Sequence, residues 1–206
     1  MSRLKVGVLA SGAGTNLQAI LDRVHGVEAE VVAVGSDKPG AEALGRALAL
    51  GIATREFPRA EYADREARDL AIAEWLVEHD VELVVLAGYM QLVSSAFLAA
   101  FPLRVINVHP ALLPAFPGIH AVEQALDYGV KVFGVTVHFV DEGIDSGPII
   151  LQQAVELPEA VDAAEVREAL RPIEHELLTG AVRLIASGTV RPDPSHPRRV
   201  LVGGTP

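Results

Sequence analysis

Residues 5–24, KVGVLASGAGTNLQAILDRV, decide the fold. KVGVLA (5–10) is a short apolar run with the length of a buried strand, and NLQAILDRV (16–24) has apolar residues at helical spacing. Between them lies SGAGTN (11–16). A strand, a glycine turn and a helix form the first unit of an α/β sheet and also an anion site. Gly12 and Gly14 let the backbone turn sharply and approach a ligand. The first N–H groups of the helix are unpaired and carry positive dipole character. Thr15 and Asn16 add side-chain donors or a helix cap. The dinucleotide fingerprint needs a third glycine where this chain has Leu17, and the Gly-Lys-Ser/Thr of a P-loop is absent. The turn therefore suits one phosphate. A bare tight turn has the same spacing, so the turn alone does not decide function.

Working outward, short apolar runs alternate with helical patterns. AEVVAVGSD (29–37), VELVVLAG (81–88) and RVINVHP (104–110) read as strands. AEALGRALALG (41–51) reads as a helix stopping at Gly51, and DREARDLAIAEWLVEHD (64–80) as another. This alternation predicts a mainly parallel sheet covered on both faces. After residue 130 the pattern changes. KVFGVTVHFV (131–140) and GPIILQQAVEL (147–157) are two strands joined by a loop too short for a crossover helix, so they pair antiparallel. A last helix begins near Asp162, which has capping-box spacing to Glu165, and Pro172 is expected to kink or split it. The expected architecture is a Rossmann-like α/β fold: a mostly parallel central sheet, an antiparallel C-terminal hairpin, and helices on both faces. Residues 1–188 are expected to form one domain, and the Pro- and Gly-rich residues 189–206 a surface extension of uncertain order.

Composition narrows the function. The chain has 206 residues, half of them hydrophobic, which suffices for a sizeable core. Its net charge of −10 argues against nucleic-acid binding, which needs a basic footprint. It leaves room for a small anion in a local pocket. The absence of cysteine excludes disulfide and thiolate chemistry and fits a reducing compartment. The N-terminal run lacks a signal-peptide pattern, and no run reaches membrane-spanning length. The expectation is a cytoplasmic protein with no membrane partner.

Two segments carry chemistry. In VINVHPALLPAFPGIH (105–120), Asn107 and His109 end a strand and share its face. An Asn is a neutral donor for a developing oxyanion, and a His is the usual proton carrier near neutral pH. The other segment is the acidic loop of HFVDEGIDSGP (138–148). Asp141, Glu142 and Asp145 have a bland reading as solvated loop charges, and a sharper one in which Asp145 lies beside His109 and raises its pKa. His109, His120 and His138 lack metal-ligand spacing, so no metal is expected. Ser11 lacks the G-x-S-x-G of a nucleophile elbow.

With these residues in view, the chain resembles the phosphoribosylglycinamide formyltransferase family, folate-dependent enzymes of purine synthesis. The resemblance covers about residues 4–187 and rests on SGAGTNLQAI, DREA, LAGYMQLVS, VINVHPALLP, FPGIH and HFVDEGIDSGPII in that order. It implies transfer of a formyl group from 10-formyltetrahydrofolate, the co-substrate, to the amine of 5'-phosphoribosylglycinamide. It assigns Gly12, Ala13, Gly14, Thr15, Asn16, Pro110 and Glu174 to the ribonucleotide. It assigns Arg65, Met90, Gln91, Leu92, Val93, Asn107, Val140 and Asp141 to the folate, with the strip 90–93 taking the pterin largely through backbone groups. Asn107, His109 and Asp145 form the implied catalytic set, with Asp145 keeping His109 cationic. Two departures are Ala115, where the family often has a basic residue, and Pro172, two residues before Glu174. The alternatives are a formyltetrahydrofolate deformylase, a methionyl-tRNA formyltransferase, and a non-catalytic nucleotide-binding module. The first two usually carry an extra domain for which these 206 residues leave no room, and the acidic balance disfavours tRNA. The expected partners are the two small-molecule substrates, with the protein a monomer or homodimer.

Overall fold

The computed structural model describes residues 2–203. Its contacts gather into two compact units, one ending at Asn107 and one starting at Val108.

In the first unit, β1 (Leu4–Leu9), β2 (Ala29–Ser36), β3 (Ala53–Glu56), β4 (Leu83–Leu86) and β5 (Val105–His109, whose last two residues begin the second unit) pair in the order β3-β2-β1-β4-β5. Every pairing among them is parallel. The inner strands are apolar on both faces: Val6, Val8, Leu9, Val84 and Val85 are all buried. A sheet of that kind needs cover on both sides. Three helices in this unit supply apolar faces: α1 (Thr15–Arg23) with Leu17 and Ile20, α2 (Glu42–Leu48) with Ala43, Leu44 and Ala47, and α3 (Arg65–Glu78) with Ile72, Trp75 and Leu76. A short α4 (Ser95–Ala100) follows β4. Parallel pairing aligns the strand ends, with Leu9 opposite Gly35 and Leu86, and Leu86 opposite Asn107. The turn after β1, the residue after β2 and the loop after β4 therefore leave from one edge, where open α/β sheets bind ligands.

In the second unit, α5 (Ala121–Tyr128) precedes β6 (Val132–Phe139) and β7 (Ile149–Glu156). The two strands pair antiparallel, as their short connection requires, from Val132↔Glu156 to His138↔Ile149 with a register shift at Val137/His138. The long α6 (Ala163–Ala186) packs on both. The fold class read from the sequence is the one found.

Local details differ. Pro172 does not split α6, which runs unbroken through it. Its apolar residues Val166, Leu170, Leu177, Leu178 and Ala181 are buried on both sides of the proline, while Pro172 itself is exposed. Packing fastens both halves, and Pro172 and Glu168, whose carbonyl loses its N–H partner, are both exposed residues. α2 ends before Gly51, with Ala49 as its C-cap, and Gly51 takes the positive φ of 71° two residues later. The segment from 189 onward is not a plain extension. Up to Gly203 it forms a hairpin, β8 (Val190–Asp193) with β9 (His196–Val202), and the Arg198 Nη2 donates to the Ser146 carbonyl at 2.5 Å. The sequence reading names neither β3 nor the helices α4 and α5, all of them short.

Candidate active site

The glycine turn is built from backbone. Gly14 occupies the N-cap position of α1 in the left-handed region (φ 70°), with no side-chain cap, and its carbonyl accepts from the Gln18 N–H at 2.9 Å. Neither Thr15 nor Asn16 is the cap: they are the first residues inside the helix, and Asn16 is buried. The two glycines do different work. A Cβ on Gly14 would lie 2.7 Å from the Ala43 Cβ and 2.8 Å from its Cα, so α2 as well as φ demands glycine there. Nothing lies within 4 Å of a Cβ placed on Gly12, so that position opens into free space. From α2, the Ala43 N–H donates to the Gly12 carbonyl at 3.2 Å, and Arg46 Nε donates to the Ala13 carbonyl at 2.7 Å. Arg46 also holds Gln18 through Nη1 at 2.9 Å. A guanidinium thus sits against the turn and makes it more favourable for an anion.

The strip Met90–Val93 follows β4 on the same sheet edge. The Met90 N–H donates to Ser11 Oγ at 2.9 Å, and Ser11 Oγ donates to Asp37 Oδ1 at 2.5 Å. Gln91 turns its amide inward: Nε2 donates to Asp37 Oδ2 at 3.0 Å, and Oε1 accepts from Arg68 Nη1 at 3.3 Å. Met90 and Leu92 are exposed, and Val93 is half-buried. On α3, Asp64 caps the helix by accepting from the Ala67 N–H, and Arg65 at its first position is exposed. Arg68, one turn on, is buried and paired with Asp69.

In the second unit the chemistry centres on Asp145. β5 carries half-buried Asn107, the last residue of the first unit, and buried His109, two residues apart and so on one face of the strand. His109 Nδ1 lies 3.4 Å from Asp145 Oδ2, and its Nε2 lies 2.8 Å from the Phe116 carbonyl. Asp145 Oδ2 also accepts from the Gly118 N–H at 2.7 Å. The other carboxylate oxygen lies 3.6 Å from Nε2 of His138, which is 1% exposed. Asp145 reaches this position from a left-handed φ of 47°. Gly147 permits the close return of the loop, since a Cβ there would collide with the Phe139 carbonyl. Asp141 is spent on the loop itself: its Oδ1 accepts from Gly143 N–H at 3.1 Å and Ser146 Oγ at 2.6 Å. Val140 and Pro110 are half-buried. Glu174 is half-buried on the unbroken α6, and Ala115 is exposed.

Burial sets the protonation of this cluster. It pushes the His109 pKa below its ordinary value, against the raising effects of the Phe116 carbonyl and Asp145. That direction favours the neutral ring near pH 7, opposite to the cationic His109 expected, although both its ring nitrogens face acceptors. Burial also opposes the Asp145 carboxylate. His138, the Gly118 N–H and His109 outweigh it and bring the pKa down to about 2. Among the described residues, no group of His, Asp and Glu side chains forms a metal site.

The formyl transferase family matches residues 4–182. The chain is 42% identical over 181 residues to the phosphoribosylglycinamide formyltransferase of Bacillus subtilis (strain 168), covering 87% of this chain and 93% of that protein. The chain belongs to the phosphoribosylglycinamide formyltransferase family. Glycinamide ribonucleotide transformylase 1 from Symbiobacterium toebii has a crystal structure similar to this one, with a TM-score of 0.92, 46% identity, and coverage of 97% of this chain and 94% of that chain. The chain is also 41% identical over 191 residues to the trifunctional purine biosynthetic protein adenosine-3 of Homo sapiens, of which it spans 19%. Against this formyltransferase background, sequence reasoning passes over Arg46, Asp37 and Arg68, and it weighs His138, Ser11 and Gln91 without the contacts that join them to their neighbours. His138 has a signal, a histidine at the end of a strand beside an acidic loop, but the sequence reading weighs it only as a metal ligand. Arg46 has none, because its partner Ala13 lies 33 residues away.

Proposed function

We propose that this protein transfers the formyl group of 10-formyltetrahydrofolate to the amine of 5'-phosphoribosylglycinamide, yielding formylglycinamide ribonucleotide and tetrahydrofolate on the route to IMP. The reading is carried by the buried His109–Asp145 pair, 3.4 Å apart, with Asn107 two residues away on β5. The glycine turn receives the phosphate on the backbone of Gly12 to Asn16, with Arg46 behind it, and Pro110 and Glu174 contact the rest of the ribonucleotide. Arg65 takes the folate carboxylate and Met90–Val93 the pterin, and Val140 and Asp141 are also assigned to the folate.

In the reaction the amine nitrogen attacks the formyl carbon and a tetrahedral oxyanion forms. Asn107 donates to that oxyanion. The attacking nitrogen must lose a proton and the leaving folate nitrogen must gain one. Neutral His109, held so by burial, accepts the first and delivers the second, directly or through a water. Asp145 stabilises the imidazolium in between, because an opposite charge beside it favours the charged form. The Phe116 carbonyl occupies His109 Nε2 at 2.8 Å and has to yield before that nitrogen can exchange a proton with substrate. The partners are small molecules. The net charge of −10 disfavours nucleic acid. Among the described residues no helix is long and apolar enough to cross a membrane, which fits a cytoplasmic enzyme. A monomer or homodimer suffices for this scheme.

The test is an assay of the protein with 10-formyltetrahydrofolate, with and without the ribonucleotide. Folate turnover that requires the ribonucleotide is expected. Turnover without it would instead select a deformylase, and no turnover in either case a binding module.

A further inference from the structure

The strip Met90–Val93 is held in an unusual way. A loop is commonly anchored by burying apolar side chains, but Met90 is 58% and Leu92 54% exposed. Its anchors are polar. The Met90 N–H is taken by Ser11 Oγ at 2.9 Å, and the Ser94 N–H beyond its other end by Asp69 Oδ2 at 2.7 Å. Between these points the Gln91 amide joins Asp37 to Arg68. Arg68 is itself fixed by Nε and Nη2 on Asp69 Oδ1, at 3.2 and 3.0 Å, and is 1% exposed. The backbone N–H groups at both ends are spent, so the polar backbone left to a ligand belongs chiefly to residues 91–93.

We propose that Gln91 is a positioning residue for the formyl donor. With Ser11, Asp37 and Arg68 its side-chain amide holds the strip in place for the folate ring, and that amide does not itself touch the folate. The proposal rests on the reading that this strip receives the pterin. The bridge works because one amide matches two unlike neighbours: its N–H₂ end meets the carboxylate of Asp37, and its oxygen meets the guanidinium of Arg68. Because Met90 and Leu92 are exposed, the stretch between the two backbone anchors depends on the bridge for its side-chain support. The same wiring ties it to the glycine turn, since Ser11 belongs to that turn and receives the Met90 N–H.

The chemistry provides its own reversal test. In Gln91→Glu a carboxylate faces the Asp37 carboxylate. In Asp37→Asn the amide end of Gln91 loses a charged acceptor. In the double variant the amide introduced at position 37 can donate to the carboxylate introduced at position 91. That carboxylate still accepts from Arg68, and the total charge is unchanged. Steady-state kinetics are measured for all four proteins with both substrates, together with their melting temperatures. Each single variant is expected to raise the KM for 10-formyltetrahydrofolate about 10-fold or more, as loss of a part-buried hydrogen bond does. The kcat and the ribonucleotide KM should stay within about 2-fold, the size of the residual non-additivity between independent sites. The double variant should recover most of the folate KM. An unchanged folate KM in the single variants overturns the proposal. A double variant as poor as Gln91→Glu also overturns it, because Gln91 would then contact folate itself. So does a uniform fall in melting temperature and all kinetic constants, which marks a structural role only. Hydrogen exchange on wild type distinguishes the underlying reading: if 10-formyltetrahydrofolate does not protect the amides of Leu92 and Val93, the strip does not receive the pterin and both ideas fail.

Discussion

Replacing Asp145 with Asn tests the centre of the mechanism. The change keeps the size of the side chain and removes its charge. His109 Nδ1 now lies 3.4 Å from a carboxylate oxygen, and both side chains are largely buried, 5% and 14% exposed. At that distance and an effective dielectric of ~20, Coulomb's law sets a ceiling of about 5 kcal/mol on the attraction. Opposite charges this close move a pKa by about 1 to 3 units in practice. Asp145 is one of the influences that raise the His109 pKa, against the larger lowering by burial. In Asp145→Asn the imidazolium should therefore lose about 1.4 to 4 kcal/mol, and the His109 pKa should fall by a further 1 to 3 units, at about 1.4 kcal/mol per unit. The new amide can also donate to Nδ1 and fix the neutral ring. Because the imidazolium forms during proton transfer, kcat should fall by up to ~10–10³-fold, within the usual range for a positioned acid–base pair. The acidic limb of the kcat/KM profile, which reports the free histidine, should move to lower pH by the same amount. Histidine NMR titration of the folded variant and a pH–rate profile measure the two shifts. A His109 pKa that stays put or rises, with an unmoved limb, would refute the coupling and leave Asp145 as a loop charge.

Other outcomes follow from the same geometry. Gly12→Val projects into open space above the turn with no φ strain, and should weaken ribonucleotide binding about 10-fold or more while folate binding is kept, as calorimetry can check. Gly14→Ala should instead lower the melting temperature, because its Cβ meets Ala43 at 2.7 Å and its φ is 70°, a combined strain of about 1 to 3 kcal/mol; an unchanged melting temperature counts against that packing. Arg65→Ala should raise the folate KM about 10-fold through loss of a charged hydrogen bond, whereas a plain surface ion pair predicts less than about 5-fold. For acid stability, Asp145 has a folded pKa lowered from 3.8 to about 2, so it contributes about 2 kcal/mol that is present above 3.8 and lost as pH falls through 2. The lowered His109 pKa has the same sign and removes stability as pH falls below 6.5. Denaturant melts of wild type against Asp145→Asn between pH 5 and 2 should converge on acidification, and parallel curves would contradict it.

Features made by neighbours in the chain were legible from the sequence. The β1–glycine turn–α1 unit, the alternation that implies a parallel sheet, the antiparallel β6–β7 pair and the Asn107-x-His109 spacing are all local, because strand and helix periods operate over a few residues. Asp145 could be named as a candidate, but its contact with His109, 36 positions away, arises only when the loop after β6 adopts a left-handed residue and returns past Gly147. The unbroken α6 depends on packing that overrides the local penalty of Pro172. The neutral His109 depends on burial, which no motif encodes. The same holds for the chain Ser11–Asp37–Gln91–Arg68: each member is an ordinary polar residue in sequence, and they meet only because parallel pairing sends the ends of β1, β2 and β4 to one edge of the sheet. Sequence alone determined which segments form the sheet and which side chains can do chemistry; the tertiary structure decided which of them touch, because desolvation and hydrogen-bond partners come from residues far apart in the chain.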